Sequence, residues 1–456
     1  MKGATHNIEP RILKRIFATL SMTMQKTVEG FSKLTKQEKI DWVANNCTEN
    51  PETTRQLIAQ YLNSDAALQK VHDEFIENTL TNYYLPFAVA PNFLVNEELY
   101  ALPMTIEESS VVAAASKAAK FWLTRGGFKT AVRGTEKVGQ VHFMYFDEPK
   151  RLESFFKKVL PLFHEDSKTI TQSMRKRGGG ISAIELRNKT DELDGYYQLH
   201  CTFETLDAMG ANFINSCLEQ FAQTLKVEAG KQGISLEVIM SILSNYVPNC
   251  VAHAEVSCPI GEDGSKTTVS HEFAKRFVQA VAIAKSEPFR AVTHNKGIMN
   301  GIDALVLATG NDFRAVEAGV HAFAAKDGQY SSLTHAEIKE DHFTFWIDVP
   351  LALGTVGGLT SLHPLVKLAL EILKNPTAKE LMQLVAVAGL AQNFAALRSL
   401  VTTGIQKGHM KMHALNLLNQ LGASEDEKVQ LLEYFKAQTV SNAALKKQLA
   451  EIRNNK

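Results

Sequence analysis

Two charged residues stand in local contexts that suit catalysis. Glu108 directly precedes two serines and an Ala-rich segment, where a carboxylate favoured by the dipole at the start of a helix is the ordinary explanation. Lys296 is flanked by asparagines and glycines in a segment that we interpret as a loop, and a partly buried ammonium there would stabilise a developing oxyanion. An exposed loop lysine explains the same pattern equally well. Chemistry alone therefore leaves both residues as candidates.

A third segment has the small residues that a nucleotide site requires. Residues 207–212 read Asp-Ala-Met-Gly-Ala-Asn and follow a predicted strand, so a nucleotide phosphate can approach the start of the next helix. The segment is not the G-x-G-x-x-G fingerprint. Upstream, residues 175–180 read Arg-Lys-Arg-Gly-Gly-Gly and offer cations and backbone amides to a phosphate, although a solvated charge run before a loop is the simpler explanation.

Histidines and cysteines are the residues to examine for a metal site. His409 and His413 lie one helical turn apart, but no H-E-x-x-H motif or further ligand accompanies them. The five cysteines are odd in number and form no C-x-x-C pair, which argues against a disulfide framework and against structural zinc. We therefore predict a metal-free protein of a reducing cytoplasm.

Charge and hydropathy exclude other classes of protein. Lys plus Arg and Asp plus Glu are each 49, so no net field attracts the chain to nucleic acid or to an anionic membrane. Residues 381–397 lack charge, but they include amide side chains and are shorter than the roughly 20 residues that a membrane span needs. We interpret this segment as a buried helix and predict no membrane anchor.

Periodicity and capping signals predict a mixture of helices and strands. Thr35-x-x-Glu38 is a capping box that predicts a short helix through Trp42, and a second box at Ser424-x-x-Glu427 predicts a helix near the C-terminus. The other predicted elements are helices over residues 109–123, 271–286 and 377–401 and strands over residues 139–146, 195–205 and 342–349. Ser109 or Ser110 is expected to cap the first of these helices with its side chain.

These elements indicate an α+β fold with more than one domain. At 456 residues and 45% apolar content, the chain can bury two or three cores. We expect residues 133–243, in which strands alternate with helices, to form a small inserted α+β domain. Residues 1–132 and 244–403 then form a large helix-rich domain, and residues 404–456 form a C-terminal helical flap.

Six motifs, taken in chain order, resemble the signatures of class II 3-hydroxy-3-methylglutaryl-CoA (HMG-CoA) reductases. They read Glu-Ser-Ser-Val-Val-Ala from residue 108, Asp-Ala-Met-Gly-Ala-Asn from 207, His-Asn-Lys-Gly-Ile-Met-Asn-Gly from 294, Gly-Asn-Asp from 310, Gly-Thr-Val-Gly-Gly from 354 and Lys-Gly-His-Met from 407. The resemblance extends from about Phe31 to the C-terminus. Only the N-terminal extension lies outside it.

The resemblance implies roles for particular residues. The family's catalytic glutamate, lysine, aspartate and tail histidine match Glu108, Lys296, Asp312 and His409. Implied substrate contacts are Ser110, Asn245, Arg290, Asn300 and Gln392. Implied cofactor contacts are Arg177, Gly178, Gly179, Gly180, Asp207, Met209, Gly210, Asn212, Gly354, Thr355, Val356 and Gly357.

The resemblance also implies an activity and an assembly. HMG-CoA would be reduced to mevalonate and CoA in two hydride steps, with NAD(P)H as the hydride donor and no metal. The nucleotide site would be of a non-Rossmann kind in the small domain, and the protein would be a homodimer or a higher homo-oligomer with shared active sites. The same residues serve oxidative mevalonate degradation, and a catalytically silent CoA-binding homologue is the alternative outside enzymes.

NADPH is the expected cofactor. Some NADH-using relatives resemble this chain through Gly178, Gly179 and Gly180 but have an acidic residue soon afterwards, which bonds the ribose 2′-hydroxyl and repels a 2′-phosphate. Here the corresponding position is Ala183, and the basic run at residues 175–177 is close in sequence. A 2′-phosphate would therefore meet no repulsion.

Overall fold

The structure is a computed structural model that describes residues 27–402, 414, 417–435 and 441–454. Two compact units divide the chain, Met1–Leu85 and Pro86–Lys456, and each is described by itself. In the first unit a 3-10 helix at Phe31–Lys33 precedes helices α1 (Lys36–Cys47), α2 (Pro51–Gln60) and α3 (Ala66–Asp73).

The predicted capping box at the start of α1 is confirmed. The Thr35 side chain accepts a hydrogen bond from the Glu38 amide, and the Glu38 carboxylate accepts one from the Thr35 amide at 2.7 Å. The helix continues past the predicted end at Trp42 to Cys47, because the residues between contain no glycine or proline to stop it. Asn50 and Asp65 cap the two helices that follow by accepting hydrogen bonds from first-turn amides, without a reciprocal bond.

The second unit mixes helices with antiparallel strands. Its described strands are β1 (Phe87–Val95), β2 (Glu98–Thr105), β3 (Lys129–Val132), β4 (Lys137–Met144), β5 (Gly180–Asn188), β6 (Tyr196–Glu204), β7 (Glu237–Ser244), β8 (Val251–Pro259), β9 (Thr334–Lys339) and β10 (His342–Pro350). Its described helices are α4 (Val111–Leu123), α5 (Pro149–Asp166), α6 (Lys168–Lys176), α7 (Ala211–Lys231), α8 (His271–Ser286), α9 (Pro288–Ala308), α10 (Phe313–Ala324), α11 (Leu359–Leu362), α12 (Pro364–Ile372), α13 (Ala378–Val401), α14 (Glu425–Tyr434) and α15 (Asn442–Asn454).

The strands form a hairpin and two four-stranded sheets. The hairpin pairs β1 with β2, one sheet has the order β3-β8-β10-β9, and the other has the order β5-β6-β4-β7. All of these pairings are antiparallel. The predicted strands correspond to β4, β6 and β10, the predicted helices to α4, α8 and α13, and the second capping box opens α14, so these predictions are confirmed.

The largest hydrophobic core surrounds α13, which is buried nearly all round. Phe394 of this helix packs against Trp122 of α4 and Phe277 of α8, with ring centroids 5.1 and 5.5 Å apart. Among the described helices, α13 alone is long and apolar enough to cross a membrane by length and composition, and most of it is buried inside the protein. The prediction of a buried helix at this position is confirmed.

Separate hydrophobic clusters lie under the second sheet and near the C-terminus. Side chains of α5 and α7 cover one face of β5-β6-β4-β7 and form a core of their own. Apolar side chains of α14 and α15 pack together in a third cluster. The helix and sheet content agrees with the predicted α+β class, whereas the predicted domain boundaries stay predictions.

Candidate active site

Lys296 lies in the middle of α9, so its predicted position in a loop is wrong. Glu287 caps the helix by accepting from the amides of Phe289 and Arg290, and Pro288 occupies the first turn. Glycine weakens a helix, but Gly301 is required here by packing, because a Cβ on it would lie 2.3 Å from the carbonyl oxygen of Ala388 in α13. Gly301, one of the glycines that suggested a loop, therefore allows two helices to approach closely.

The structure brings Glu108 to Lys296. Strand β2 packs along α9, and Glu108 follows shortly after the end of that strand. The Lys296 Nζ donates to Glu108 Oε2 at 2.7 Å, with side chains that are 60% and 40% exposed. An ammonium and a carboxyl group are thus held together at a surface that substrate can reach.

Ser110, two residues after Glu108, has a left-handed backbone conformation. Ser110 precedes the first residue of α4 with φ at +77°, and its side chain makes no capping hydrogen bond, so the predicted serine cap is wrong. In the left-handed conformation the hydroxyl is not aligned with the amides of the first turn, and a side chain there is strained. Such strain is common where a backbone is shaped for a ligand, which fits the implied substrate contact.

Asp312 caps the start of α10, and its carboxylate is bound by residues of the first turn. Its carboxylate accepts from the amides of Arg314 and Ala315 and from the Arg314 guanidinium at 3.0 Å. Burial acts to raise the pKa of Asp312, but the hydrogen bonds from Arg314 and from the amides outweigh it and lower the pKa below its usual value. In the described ranges, no hydrogen bond or ion pair joins Asp312 to Lys296.

A buried polar network under Lys296 was not predicted from the sequence. His294 Nε2 is 2.6 Å from the Thr334 hydroxyl, which donates to Asn393 Oδ1, and the Asn393 amide donates to the His294 carbonyl. Because the Thr334 proton is directed to Asn393, His294 must donate through Nε2. Burial, and secondarily the charge of Arg290, lowers the pKa of His294 to about 3, so the ring is neutral.

The remaining implied substrate residues have identifiable places. Asn300 is one turn beyond Lys296 on the same side of α9, and Arg290 lies nearer the start of that helix, where burial lowers its pKa. Gln392 is on α13, and its Oε1 is buried without a hydrogen-bond partner among the described residues. Asn245 directly follows β7, and its carbonyl oxygen would lie 2.5 Å from a Cβ on Gly319.

The candidate cofactor residues of two distant segments come together. Thr355 donates its amide to the Asp207 carbonyl at 2.8 Å, and a Cβ on Gly354 would lie 2.5 Å from the Met209 amide nitrogen. Asp207 Oδ1 accepts from the amide of Ala378 at the start of α13 at 2.8 Å. This aspartate therefore joins the turn to the large core. The other residues of the second segment, Val356 and Gly357, follow directly and are exposed.

The turn that contains Gly210 leads into a helix whose first amides have no side-chain cap. Gly210 has φ at +94° and precedes α7 without a side-chain cap, and Asn212 is in the first turn of that helix. A Cβ on Gly210 would lie 2.4 Å from the Thr205 side chain, so only glycine fits. Uncapped first-turn amides and the helix dipole favour an anion such as a phosphate.

The Gly-rich loop connects α6 to β5. Arg177 directly follows α6, and Gly178 has φ at +96°. A Cβ on Gly179 would lie 2.6 Å from the Glu204 carbonyl oxygen at the end of β6. Gly180 begins β5. The loop therefore turns beside the strand that leads into residues 207–212. His409, the remaining catalytic candidate, lies outside the described residues.

Comparisons with known proteins agree on one family. A family model described as hydroxymethylglutaryl-coenzyme A reductase matches residues 35–414. The 3-hydroxy-3-methylglutaryl-coenzyme A reductase of Archaeoglobus fulgidus is 38% identical over 412 residues, which are 90% of this chain and 91% of the relative. A probable reductase of the same name from Borreliella burgdorferi is 34% identical over 389 residues, 83% of this chain and 88% of the relative.

Solved structures show the same relationship. The 3-hydroxy-3-methylglutaryl-coenzyme A reductase from Streptococcus pneumoniae matches with a TM-score of 0.69 at 34% identity, and the match covers 94% of this chain and 100% of that chain. A class II enzyme structure from the same organism, bound to NADPH in open conformations, matches with a TM-score of 0.68 at 34% identity over 83% of this chain and 100% of that chain.

These matches define the class of the protein as an NAD(P)H-dependent oxidoreductase. The chain belongs to the hydroxymethylglutaryl-coenzyme A reductase family. Reductive synthesis of mevalonate is the activity of that family. The family resemblance and the α+β fold predicted from the sequence are confirmed.

Proposed function

We propose that the chain reduces HMG-CoA to mevalonate and free CoA and uses two NADPH per turnover. The observation that carries the proposal is the 2.7 Å contact between the Lys296 ammonium and the Glu108 carboxylate. Reduction of a carbonyl needs a fixed positive charge near the oxygen and a proton source. Lys296 provides the charge, and Glu108 would provide the proton when its carboxyl group is protonated.

Both reductions place negative charge on a carbonyl oxygen. When bound at the cofactor site, NADPH would provide the hydride for each of the two reductions, first of the thioester and then, after exchange of the cofactor, of the aldehyde. Lys296 stabilises the oxyanion in each step. After the first reduction the C–S bond of the hemithioacetal breaks, and His409 protonates the departing CoA thiolate. In the second step Glu108 protonates the aldehyde oxygen, which becomes a hydroxyl of mevalonate.

Asp312 is the third charged group that we assign to the catalytic site. Its low pKa keeps it ionised at neutral pH, where it would hold Lys296 and Glu108 in their working protonation states. We propose that the protein is a homodimer or higher homo-oligomer with active sites shared between subunits. In such an assembly Asp312 need not reach the Lys296 of its own chain.

Five polar residues are proposed to bind the substrate. Their residue types suit the carboxylate, hydroxyl and carbonyl groups of the hydroxymethylglutaryl moiety. Arg290 is half buried, and the Gln392 oxygen has no hydrogen-bond partner among the described residues, which supports a role for each in ligand binding. The five are Ser110, Asn245, Arg290, Asn300 and Gln392.

The cofactor is proposed to lie along residues 207–212 and 354–357, the two segments that contact each other beside the start of α7. The uncapped start of α7 fits a phosphate of the dinucleotide, and Gly354 allows the backbone to approach closely. Lys168, Arg175 and Lys176 line a groove on α6, and no acidic residue is among its described lining residues. This charge supports NADPH over NADH, because a 2′-phosphate would meet cations.

A spectrophotometric assay tests both the activity and the cofactor. Purified protein with HMG-CoA is expected to oxidise NADPH, with a higher kcat/KM than for NADH. A clear preference for NADH would overturn the interpretation of the α6 groove. Oxidation of neither cofactor by correctly folded protein would favour a silent CoA-binding homologue.

The direction of the reaction in the cell has a second candidate, because the same groups catalyse oxidation of mevalonate in the presence of CoA and NAD(P)⁺. Deletion of the gene distinguishes the two directions in the living cell. A requirement for added mevalonate supports synthesis, whereas loss of growth on mevalonate as carbon source supports degradation.

The absence of a cysteine framework fits a cytoplasmic location.

The proposed role of His409 separates the two half-reactions. His409→Gln is expected to impair HMG-CoA reduction but to spare the reduction of free mevaldehyde, which expels no thiolate. Equal loss in both assays would mean that His409 serves closure of the flap or placement of the cofactor. An unchanged overall rate would remove it from the mechanism.

A further inference from the structure

Among the described residues, Lys137 is a buried lysine without a hydrogen-bond or ion-pair partner. It begins β4 and is 3% exposed. Because strand residues alternate, Lys137 faces the same side as Gly139, where a Cβ would meet Ile214 and Leu218 of α7. The lysine therefore points towards the helix that begins after Gly210.

Lys137 borders a small cavity near the start of α7. Lys137 lines a small cavity with residues of the turn before α7, the end of β7 and α10, and no acidic residue is among its described lining residues. Those residues include Met209, Ala211, Ser244 and Asn245. The start of α7 is itself positive, because its first amides are uncapped. A buried ammonium beside a positive helix end is unfavourable unless an anion joins them.

Acidic residues close to Lys137 in the fold are already engaged. Glu204 accepts from the Thr135 hydroxyl and from the Leu206 amide, and Glu136 accepts from Asn249 at 3.0 Å. Neither forms an ion pair with Lys137 within the described chain. A bound anionic ligand would supply the missing counter-charge.

We propose that Lys137 is a cofactor-binding residue whose ammonium, together with the first amides of α7, holds a phosphate oxygen of the nicotinamide dinucleotide. The inference rests on the proposed function, since it adds a residue to the same cofactor site. The cavity of about 20 Å³ has room for roughly one or two water molecules, so it admits an oxygen of a larger ligand rather than a free dinucleotide. The bordering turn at Met209 favours the dinucleotide over CoA, which also carries phosphates.

The test is Lys137→Met in the full-length protein, because methionine keeps the apolar stem and removes the charge. The dissociation constant for NADPH, measured from nicotinamide fluorescence, is expected to rise about tenfold or more, whereas the KM for HMG-CoA changes less than about twofold. Lys226→Met, which removes an exposed charge from α7, is the matched control and is expected to leave both constants unchanged.

Thermal unfolding provides a readout that distinguishes a binding role from a structural one. Without cofactor, Lys137→Met is expected to unfold at the same temperature as the wild type or higher, since an uncompensated buried charge is removed. The rise in Tm on adding NADPH should shrink. A lower Tm with equal weakening of NADPH and HMG-CoA would make Lys137 structural and overturn the proposal.

Two further outcomes are decisive. Unaltered NADPH binding by Lys137→Met, with active wild-type protein, would refute the cofactor role while leaving the proposed function intact, whereas inactive wild-type protein would refute the function itself. Inorganic phosphate should compete with NADPH in the wild type and much less in the variant. If only phosphate binding depends on Lys137, the site takes a free anion and the dinucleotide assignment is wrong.

Discussion

The Lys296 Nζ donates to Glu108 Oε2 at 2.7 Å although 188 residues separate the two in sequence. The contact joins the middle of a buried helix to the turn after a hairpin. Each partner alone has an ordinary explanation, as an exposed lysine or as a carboxylate near the start of a helix. Because the two side chains contact each other at a surface that substrate can reach, a catalytic role explains the pair better than two separate structural roles.

Removal of the Lys296 ammonium should abolish most of the activity. Lys296→Met is expected to lower kcat about 100-fold or more for both HMG-CoA and mevaldehyde, because each reduction forms an oxyanion that needs the positive charge. Steady-state kinetics with the two substrates measure this. Lys275→Met, which removes an exposed charge from α8, is the matched control. Loss confined to HMG-CoA would contradict a role in both steps.

The same substitution should hardly change stability. Both side chains of the pair are more than a third exposed, and exposed ion pairs contribute about 0–1 kcal/mol. Chemical denaturation of Lys296→Met should therefore give a free energy of unfolding within about 1 kcal/mol of the wild type. A larger loss would mean that the kinetic defect reflects misfolding.

Arg314 is expected to set the pH dependence through Asp312. The guanidinium and the helix amides hold the pKa of Asp312 below its usual value despite burial. Arg314→Gln removes the ion pair, so the pKa of Asp312 rises, and the acidic limb of kcat/KM should move to higher pH. A profile with an unmoved acidic limb would show that Asp312 ionisation does not limit the reaction.

Local signals were sufficient to predict much of the fold. Capping boxes at Thr35 and Ser424 and the alternation in β10 depend on residues near one another, and they were confirmed. Long-range packing decided the failures. Gly301 suggested a loop because its contact with Ala388 is not visible in the sequence, and the strained φ of Ser110 is imposed by its surroundings.

The site shows the same division between local and long-range information. Motifs identified Glu108 and Lys296 as candidates, yet their contact depends on how β2 packs on α9. Lys137 was missed because a lysine at the start of a strand usually faces solvent. His294 was noticed only as part of the lysine motif, although Ala291 and Ile298, three residues before it and four after it, place it on the apolar side of a helix.

The hydroxyl of Thr334 should matter more than its methyl group. It accepts from His294 and donates to Asn393, so Thr334→Val leaves two buried polar groups without a partner. We expect a loss of about 1–3 kcal/mol in the free energy of unfolding and a lower kcat, because α9 carries Lys296. Thr334→Ser keeps the hydroxyl and should restore most of both. Equal defects in the two variants would assign the effect to packing instead.

The buried Asp303 beside Glu317 should make the folded protein lose stability as pH rises from about 4 to about 8. Asp303 lies two turns beyond Lys296 on α9, and its Oδ1 is buried without a hydrogen-bond partner among the described residues. Burial, and then the adjacent carboxyl of Glu317, raises the pKa of Asp303 well above its usual value. Asp303 therefore keeps its proton at neutral pH.

The folded protein consequently binds more protons than the unfolded chain as pH rises above about 4, the ordinary range of an aspartate. The free energy of unfolding must fall as pH rises through the folded-state pKa, since ionisation places two negative charges together. Asp303→Asn removes this titration. Urea denaturation at acidic and alkaline pH should show similar stability at pH 5 and a more stable variant at about pH 9, by on the order of 1–2 kcal/mol. If the stability of the variant declines with pH as steeply as that of the wild type, Asp303 is not the group whose ionisation lowers stability.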